Sequence, residues 1–210
     1  MTSIRIWFEF LLLFIATPLL VYFFVNDLHT WLMPILVLCG AICIIILLRD
    51  KGFSRRRLYV KPFFRKHVRT SFRFFALGAV LSCFIVWAFL SDWFFAFPRQ
   101  HPEFWLWTLA IYPLISVVPQ EIIFRTFFFH RYKHIMPSKL VRLGTSSLSF
   151  GFAHLVYGNW IAVVVSALGG LFFGYRYLYT RCTAVVVVEH TLWGALVFTV
   201  GFGVFFVPPL

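Results

Sequence analysis

Five ionisable side chains lie well inside apolar stretches of this sequence, where a charge is costly. They are Glu121, Arg125, His154, Glu189 and His190. On insertion scales an ionisable group in hydrocarbon costs at least about 2.5 to 3.5 kcal/mol, so it usually faces a partner or a water-filled cavity. Carboxylates and imidazoles are also common general bases. The spacing of these residues in the sequence indicates whether they form a structural ion pair or a reactive site.

Glu121 and Arg125 stand four residues apart in the stretch VPQEIIFR. At this spacing both side chains lie on one helix face, within reach of a salt bridge. A neutralised pair inside a helix bundle requires no chemistry, and the spacing alone leaves this interpretation open.

The depth of three of these residues along their predicted helices favours a functional site. Counted from the basic end of its own apolar stretch, each of Glu121, His154 and His190 lies eight to eleven residues in, or roughly 12 to 17 Å along a helix. A lone membrane histidine is more often a packing residue than a catalyst. Three costly groups at one depth, on three helices, are more typical of a functional site.

The residues near the two histidines are consistent with a site. Phe150 shares a helix face with His154, and the small residue Gly151 allows a neighbouring helix to approach closely. Gly194, one turn beyond His190, is predicted to leave space beside that ring.

The elements that position these residues are predicted to be membrane helices. The 210 residues are 61% hydrophobic and only 12% charged, with a mean hydropathy of +0.89. Apolar runs of about 20 residues, long enough to cross a bilayer, recur along the whole chain. The sequence predicts an all-α, polytopic bundle that forms one integral membrane domain, residues 1–210. About seven spans are expected, at 6–25, 30–48, 72–95, 104–130, 138–157, 160–179 and 183–207.

Basic residues predict the orientation. With the N-terminus in the cytoplasm, strict alternation places 17 of the 19 Lys and Arg residues on the cytoplasmic side. The densest segment, 49–73, carries ten of them. A loop between membrane helices needs such charges for orientation alone, and no nucleic-acid-binding motif surrounds it, so no nucleic-acid partner is predicted. The four cysteines lack metal or disulfide spacing and are interpreted as packing residues.

The ordered motifs E-x-x-x-R, F-x-x-x-H and a histidine in the last span resemble those of the CAAX protease and bacteriocin-processing (CPBP, or Abi) family of glutamic intramembrane endopeptidases. The similarity covers roughly residues 110–205, the expected catalytic core. It implies an intramembrane peptidase that cleaves a membrane-associated protein or peptide. Bacterial members carry similar motifs, which implies a location in the inner or plasma membrane.

The resemblance also implies roles for individual residues. A glutamate and His154 would activate a water, while His190 and a residue one turn later would stabilise the oxyanion. Two positions depart from the family pattern: Gln120 replaces the first glutamate of the frequent motif EExxxR, and Gly194 stands where many members have asparagine. Glutamine cannot accept a proton from water.

Glu121 is therefore predicted to supply the general base, with Gln120 in the cavity wall. Because successive helix residues point about 100° apart, this role requires a distorted helix, which Pro119 could provide. Arg125 is predicted to be structural. Glu189 could orient His190 or act as a second carboxylate, although adjacency on a helix argues against direct contact.

Other interpretations remain. Gln120 and Gly194 favour a non-proteolytic member of the same fold that acts as an immunity or scaffold protein. A small transporter or proton relay also uses embedded acids and histidines, but paired discontinuous spans and repeat symmetry are not visible. No cofactor and no metal are predicted: two histidines and a glutamate can bind zinc, yet the sequence lacks HExxH.

Overall fold

The computed structural model describes residues 3–59 and 61–207, and within these ranges the chain is helical with no strand. The predicted all-α membrane bundle is confirmed. In chain order its main helices are α1 (Ser3–Phe23), α2 (Val25–Arg49), α3 (Lys61–Phe89), α4 (Pro102–Arg131), α5 (Lys139–Ala153), α6 (Trp160–Thr180) and α7 (Thr183–Val200). In the described part of the chain, all of these except α5 are long and apolar enough to span a membrane.

Helix α5 differs from the span predicted at 138–157. Its α-helical part has only 15 residues and continues as a four-residue 3-10 turn, His154–Tyr157. These lengths correspond to about 22 Å and about 8 Å, which together match the roughly 30 Å hydrocarbon core of a bilayer. The helix is rich in serine because much of it is buried against other helices rather than exposed to lipid. It can thus cross the bundle without a long apolar run.

The loops predicted to be cytoplasmic meet at one end of the bundle. His130, near the end of α4, bonds Asp50, just after α2, at 2.7 Å. The amide of Ala184, at the start of α7, donates to the carbonyl of Leu58 at 3.1 Å. The hydrogen bond from His130 lowers the pKa of Asp50 below its ordinary value. This contact is therefore present above the ordinary aspartate pKa and is lost as the pH falls through the folded-state value.

The loops predicted to lie outside meet at the opposite end. The amide of Phe95 donates to the carbonyl of Val200 at 3.2 Å. The side chain of Asn159, between α5 and α6, donates to the carbonyl of Phe205 at 2.8 Å. These contacts place the ends of the described helices in two groups, while α5 as a seventh membrane span stays a prediction.

Aromatic packing joins α1 to α4. The ring of Phe14 packs edge-on against Phe124 and Phe128, with centroid distances of 5.5 and 5.1 Å. At the cytoplasmic-loop end, Arg131 makes two hydrogen bonds of 2.9 and 2.6 Å to Glu9. Because lipid offers no hydrophobic gain to helix association, such packing and ion pairing hold the helices together.

Small residues bring helices close to the predicted site. A Cβ added to Gly40 on α2 would lie 2.6 Å from the Cβ of Pro119, so α2 touches α4 directly beside Gln120 and Glu121. A Cβ at Gly151 on α5 would lie 2.7 Å from Ala167 of α6. The close approach predicted for Gly151 is present.

We expect the N-terminus and the loop at 50–59 to lie in the cytoplasm and the C-terminus outside, because this orientation retains 17 basic residues on the cytoplasmic side. Fusions of a fluorescent reporter and of alkaline phosphatase at the loop and at the C-terminus measure the orientation. Strong alkaline phosphatase activity from the loop fusion, or its absence from the C-terminal fusion, would contradict it.

Candidate active site

Helix α4 is irregular where it carries the Glu121 motif. A short α-helical segment, Val118–Glu121, lies between two π-helical segments, Pro113–Val117 and Ile122–Phe127. Each π turn accommodates an extra residue and rotates the side chains that follow, and such segments are frequent at functional sites. The distortion expected next to Pro119 is present, and it determines where Gln120 and Glu121 point.

Glu121 is completely buried, and both of its carboxylate oxygens face charged or polar partners. Oε1 lies 2.8 Å from Nδ1 of His190 on α7. Oε2 lies 3.3 Å from Nε of Arg125. Because a carboxylate can only accept, Nδ1 of His190 carries the proton, and in the neutral ring Nε2 keeps its lone pair.

Arg125 is also completely buried. Its guanidinium carbon lies 4.7 Å from the centre of the Phe150 ring, a cation–π arrangement. Nη1 donates to the hydroxyl of Ser146 at 3.4 Å, and that hydroxyl donates to the carbonyl of Phe124 at 2.6 Å. Arg125 thus pairs with Glu121 and links α4 to α5, while its structural role stays a prediction.

His154 occupies the first position of the 3-10 turn that follows α5. Its Nδ1 lies 2.7 Å from the carbonyl oxygen of Phe150, which can only accept, so the neutral ring carries its proton on Nδ1. The Phe150 ring packs against both imidazoles, with centroid distances of 4.7 Å to His154 and 5.6 Å to His190. Phe150 therefore fixes the two histidines relative to one another.

A cavity of about 400 Å³ opens beside these residues. Its wall includes His154, His190 and Gln120, but not Glu121. Phe173 stacks on His190 at 4.6 Å between ring centroids and holds the ring in place. The two imidazoles thus share one largely apolar chamber, and the carboxylate lies behind one of them.

Gln120 lies in the cavity wall, where the sequence predicts it. Its Nε2 donates to the hydroxyl of Ser116 at 2.8 Å, and its Oε1 is buried without a partner among the described residues. Glu121, the next residue, points away because adjacent helix positions diverge by about 100°.

Gly194 lies in the cavity wall together with His190, and its lack of a side chain also admits a ring from α4. A Cβ built on Gly194 would overlap the hydroxyl of Tyr112 and would lie 2.6 Å from its Cζ. The space one turn after His190 is filled by a tyrosine from α4. Glycine is required there because of this close approach.

Glu189 belongs to a different cluster. It bonds Nε of Arg176 at 2.6 Å and the hydroxyl of Ser71 at 2.5 Å, connecting α7 to α6 and α3. Neither contact involves the neighbouring His190, as expected because adjacent helix residues point about 100° apart.

Sequence reasoning missed the uncharged members of the cavity wall, above all Tyr112, Ser116 and Phe173. Neutral side chains cost little in a membrane helix, so their presence gives no signal. For Tyr112, the available signal was the glycine at position 194, which indicates that another side chain occupies the space.

Residues 102–196 match a family model described as type II CAAX prenyl endopeptidase Rce1-like. The match covers 95 of the 210 residues and shows that this segment is similar to the Rce1-like domain. The resemblance inferred from the motifs is confirmed, since the matched segment contains Glu121, His154 and His190. No significant match to the chain was found among curated proteins or among solved structures.

The match to the Rce1-like model and the apolar helices together support a multi-pass membrane protein. This family implies a peptidase that acts on a membrane-associated protein. In the described part of the chain, no three His, Cys, Asp or Glu side chains are grouped so as to hold a metal ion. Here the carboxylate of Glu121 is instead shared by His190 and Arg125.

We expect Arg125→Met to destabilise the protein by about 3 to 5 kcal/mol, because it leaves the buried Glu121 charge without its counterion. The double variant Arg125→Met/Glu121→Gln removes both charges and should recover much of this loss. Thermal unfolding in detergent, compared across the single and double variants, measures the coupling. A double variant as unstable as Arg125→Met alone would show that the charge pair is not the cause.

Proposed function

We propose that this protein is an intramembrane endopeptidase that cleaves a membrane-associated protein or peptide in the cavity of its Rce1-like segment. The observation that carries the proposal is the pairing of Glu121 with His190 at 2.8 Å, beside a cavity that His154 also lines. A buried carboxylate that orients an imidazole, whose other nitrogen is free to accept a proton, is a recurring arrangement in hydrolases.

The contacts support His190 as the general base. A water in the cavity loses a proton to Nε2 while its oxygen attacks the scissile carbonyl carbon. The resulting imidazolium is stabilised by the Glu121 carboxylate. Collapse of the tetrahedral intermediate breaks the C–N bond, and the proton passes from His190 to the departing amine. Peptide and water thus become a carboxylic acid and an amine, with no further reactant.

The same contacts suggest a positioning role for Glu121. Its direct action as the general base stays a prediction, but Oε1 bonds His190, Oε2 is ion-paired with Arg125 without a hydrogen bond, and the side chain is fully buried. His154, held through Nδ1 by the Phe150 carbonyl, presents Nε2 as a second acceptor that can orient the water.

The reaction is proposed to occur in the inner or plasma membrane, with the N-terminus in the cytoplasm. No cofactor or metal is part of the proposed mechanism. Glu121 and His190 lie nearer the cytoplasmic ends of α4 and α7, whereas His154 follows α5 toward the outer end. Cleavage near the cytoplasmic side therefore stays a prediction.

The experiment compares the membrane proteins of cells that express the wild type or His190→Ala, with N- and C-terminal peptides profiled by mass spectrometry. Tyr175→Phe, an exposed position on α6, is the control. We expect new termini that depend on His190 and persist in the control, and purified protein should cleave the corresponding peptide in liposomes. Equal profiles in all strains would contradict proteolysis.

Glu121→Gln is expected to lower kcat by about 10² to 10⁴ while leaving KM nearly unchanged. The amide can donate to Nδ1 of His190 and so favour the wrong tautomer, with the proton on Nε2. Gln120→Ala, the matched change one residue earlier, should weaken cleavage only modestly because the amide forms part of the cavity wall and does not contact His190. Kinetics on the purified variants measure both effects. Near-normal turnover of Glu121→Gln would remove this residue from the mechanism.

A non-proteolytic role as an immunity or scaffold protein is the second candidate. The position of Gln120 favours it, because the side chain that faces the cavity is an amide that cannot act as a base. Under this alternative the wild type cleaves nothing, while Gln120→Glu introduces a carboxylate into the cavity and creates activity. The profiling experiment, repeated with Gln120→Glu, separates the two candidates.

A further inference from the structure

The cavity wall contains a phenolic hydroxyl for which no hydrogen-bond partner exists in the described part of the chain. It belongs to Tyr112, which contributes to the wall from α4. The side chain is only partly buried and borders the cavity. A hydroxyl held beside a cavity without a protein partner is available to a bound molecule.

Three contacts fix the position of this hydroxyl. The Tyr112 ring packs edge-on against His190, with centroids 6.3 Å apart, and against Phe198 at 5.2 Å. Its hydroxyl end fills the space over Gly194, one helical turn after His190. Tyr112 thus brings an O–H donor from α4 to the wall next to the histidine proposed as the base.

The proposed reaction needs such a donor. When water attacks a carbonyl, negative charge develops on the carbonyl oxygen, and a preorganised donor in an apolar cavity stabilises it strongly. In the proposed mechanism Nε2 of His190 accepts the proton of the water and Nε2 of His154 orients that water, so neither nitrogen serves the carbonyl oxygen. The amide of Gln120 places one of its two N–H groups on Ser116. Among the hydroxyl-bearing residues of the wall, Tyr112 is the one whose ring packs against His190.

We propose that Tyr112 is a further catalytic residue, whose hydroxyl donates a hydrogen bond to the oxyanion of the tetrahedral intermediate. This inference rests on the proposed peptidase function. The scissile carbonyl would lie with its carbon toward the water held by His190 and its oxygen toward Tyr112. The phenol donates a hydrogen bond and keeps its proton, so the balance of the reaction does not change.

Tyr157 provides a comparison within the same cavity. It lies in the 3-10 turn after α5, and its ring packs against His154 at 5.8 Å and Phe206 at 5.5 Å. It has the same chemistry as Tyr112 but contacts the other histidine and the outer end of the bundle.

The first measurement is the turnover of Tyr112→Phe, Tyr157→Phe and the exposed control Tyr175→Phe on the peptide found by membrane profiling. Removal of one oxyanion donor typically costs about 10² to 10³ in kcat. We expect this loss for Tyr112→Phe with little change in KM or thermal stability, because the ring remains. A larger loss for Tyr157→Phe, or turnover of Tyr112→Phe within about threefold of wild type, overturns the assignment.

A second measurement does not depend on turnover. The peptide aldehyde N-acetyl-Leu-Leu-leucinal forms a tetrahedral hydrate, whereas the matching alcohol does not. We expect the wild type to bind the aldehyde at least tenfold more tightly than the alcohol, and Tyr112→Phe to lose most of this preference. A wild type without proteolysis whose preference is lost in Tyr112→Phe would refute the proposed function and leave Tyr112 as a hydrogen-bond donor of a binding site. Equal binding of both compounds by the wild type overturns the donor.

Discussion

The fold is organised around one buried charge network, in which the fully buried Glu121 contacts the fully buried Arg125 and His190 of the cavity wall. Each charge would be prohibitively costly alone in this environment, so the network exists only if α4, α5 and α7 pack closely enough to complete it. Ser146 and Phe150 on α5 bind the guanidinium, and His190 on α7 binds the carboxylate. The central helices are therefore fixed relative to one another by electrostatics as much as by packing.

The irregular backbone of α4 follows from the same constraint. In a regular helix, directing Glu121 toward α7 would not by itself place Gln120 in the cavity wall. The π-helical segments on either side of Val118–Glu121, together with the contact between Pro119 and Gly40, define a local path for the chain. Along this path Gln120 faces the cavity and Glu121 faces His190. The two adjacent residues thus serve different functions.

The sequence was sufficient to predict the features whose placement in a membrane costs the most free energy. It predicted the helix bundle, the family and the embedded ionisable residues, because hydropathy over some 20 residues and isolated charges are strong signals. It could not predict the short, buried form of α5, whose serines weaken the apolar pattern. Nor could it predict Tyr112, since a neutral aromatic residue is ordinary in a membrane helix. The direction of the Glu121 side chain depends on π-helical turns, which leave no clear pattern in residue type.

The second buried ion pair explains how α7 can hold a reactive residue firmly. Glu189 and His190 are adjacent, so their side chains leave α7 in different directions. Glu189 is bound by Arg176 of α6 and Ser71 of α3, and His190 by Glu121 of α4. Restraints on two faces of one helix limit both its rotation and its translation. The His190 ring is also stacked on Phe173, so it needs little reorganisation to accept a proton. Such preorganisation favours catalysis in a cavity with little water, where solvent cannot stabilise the developing charges.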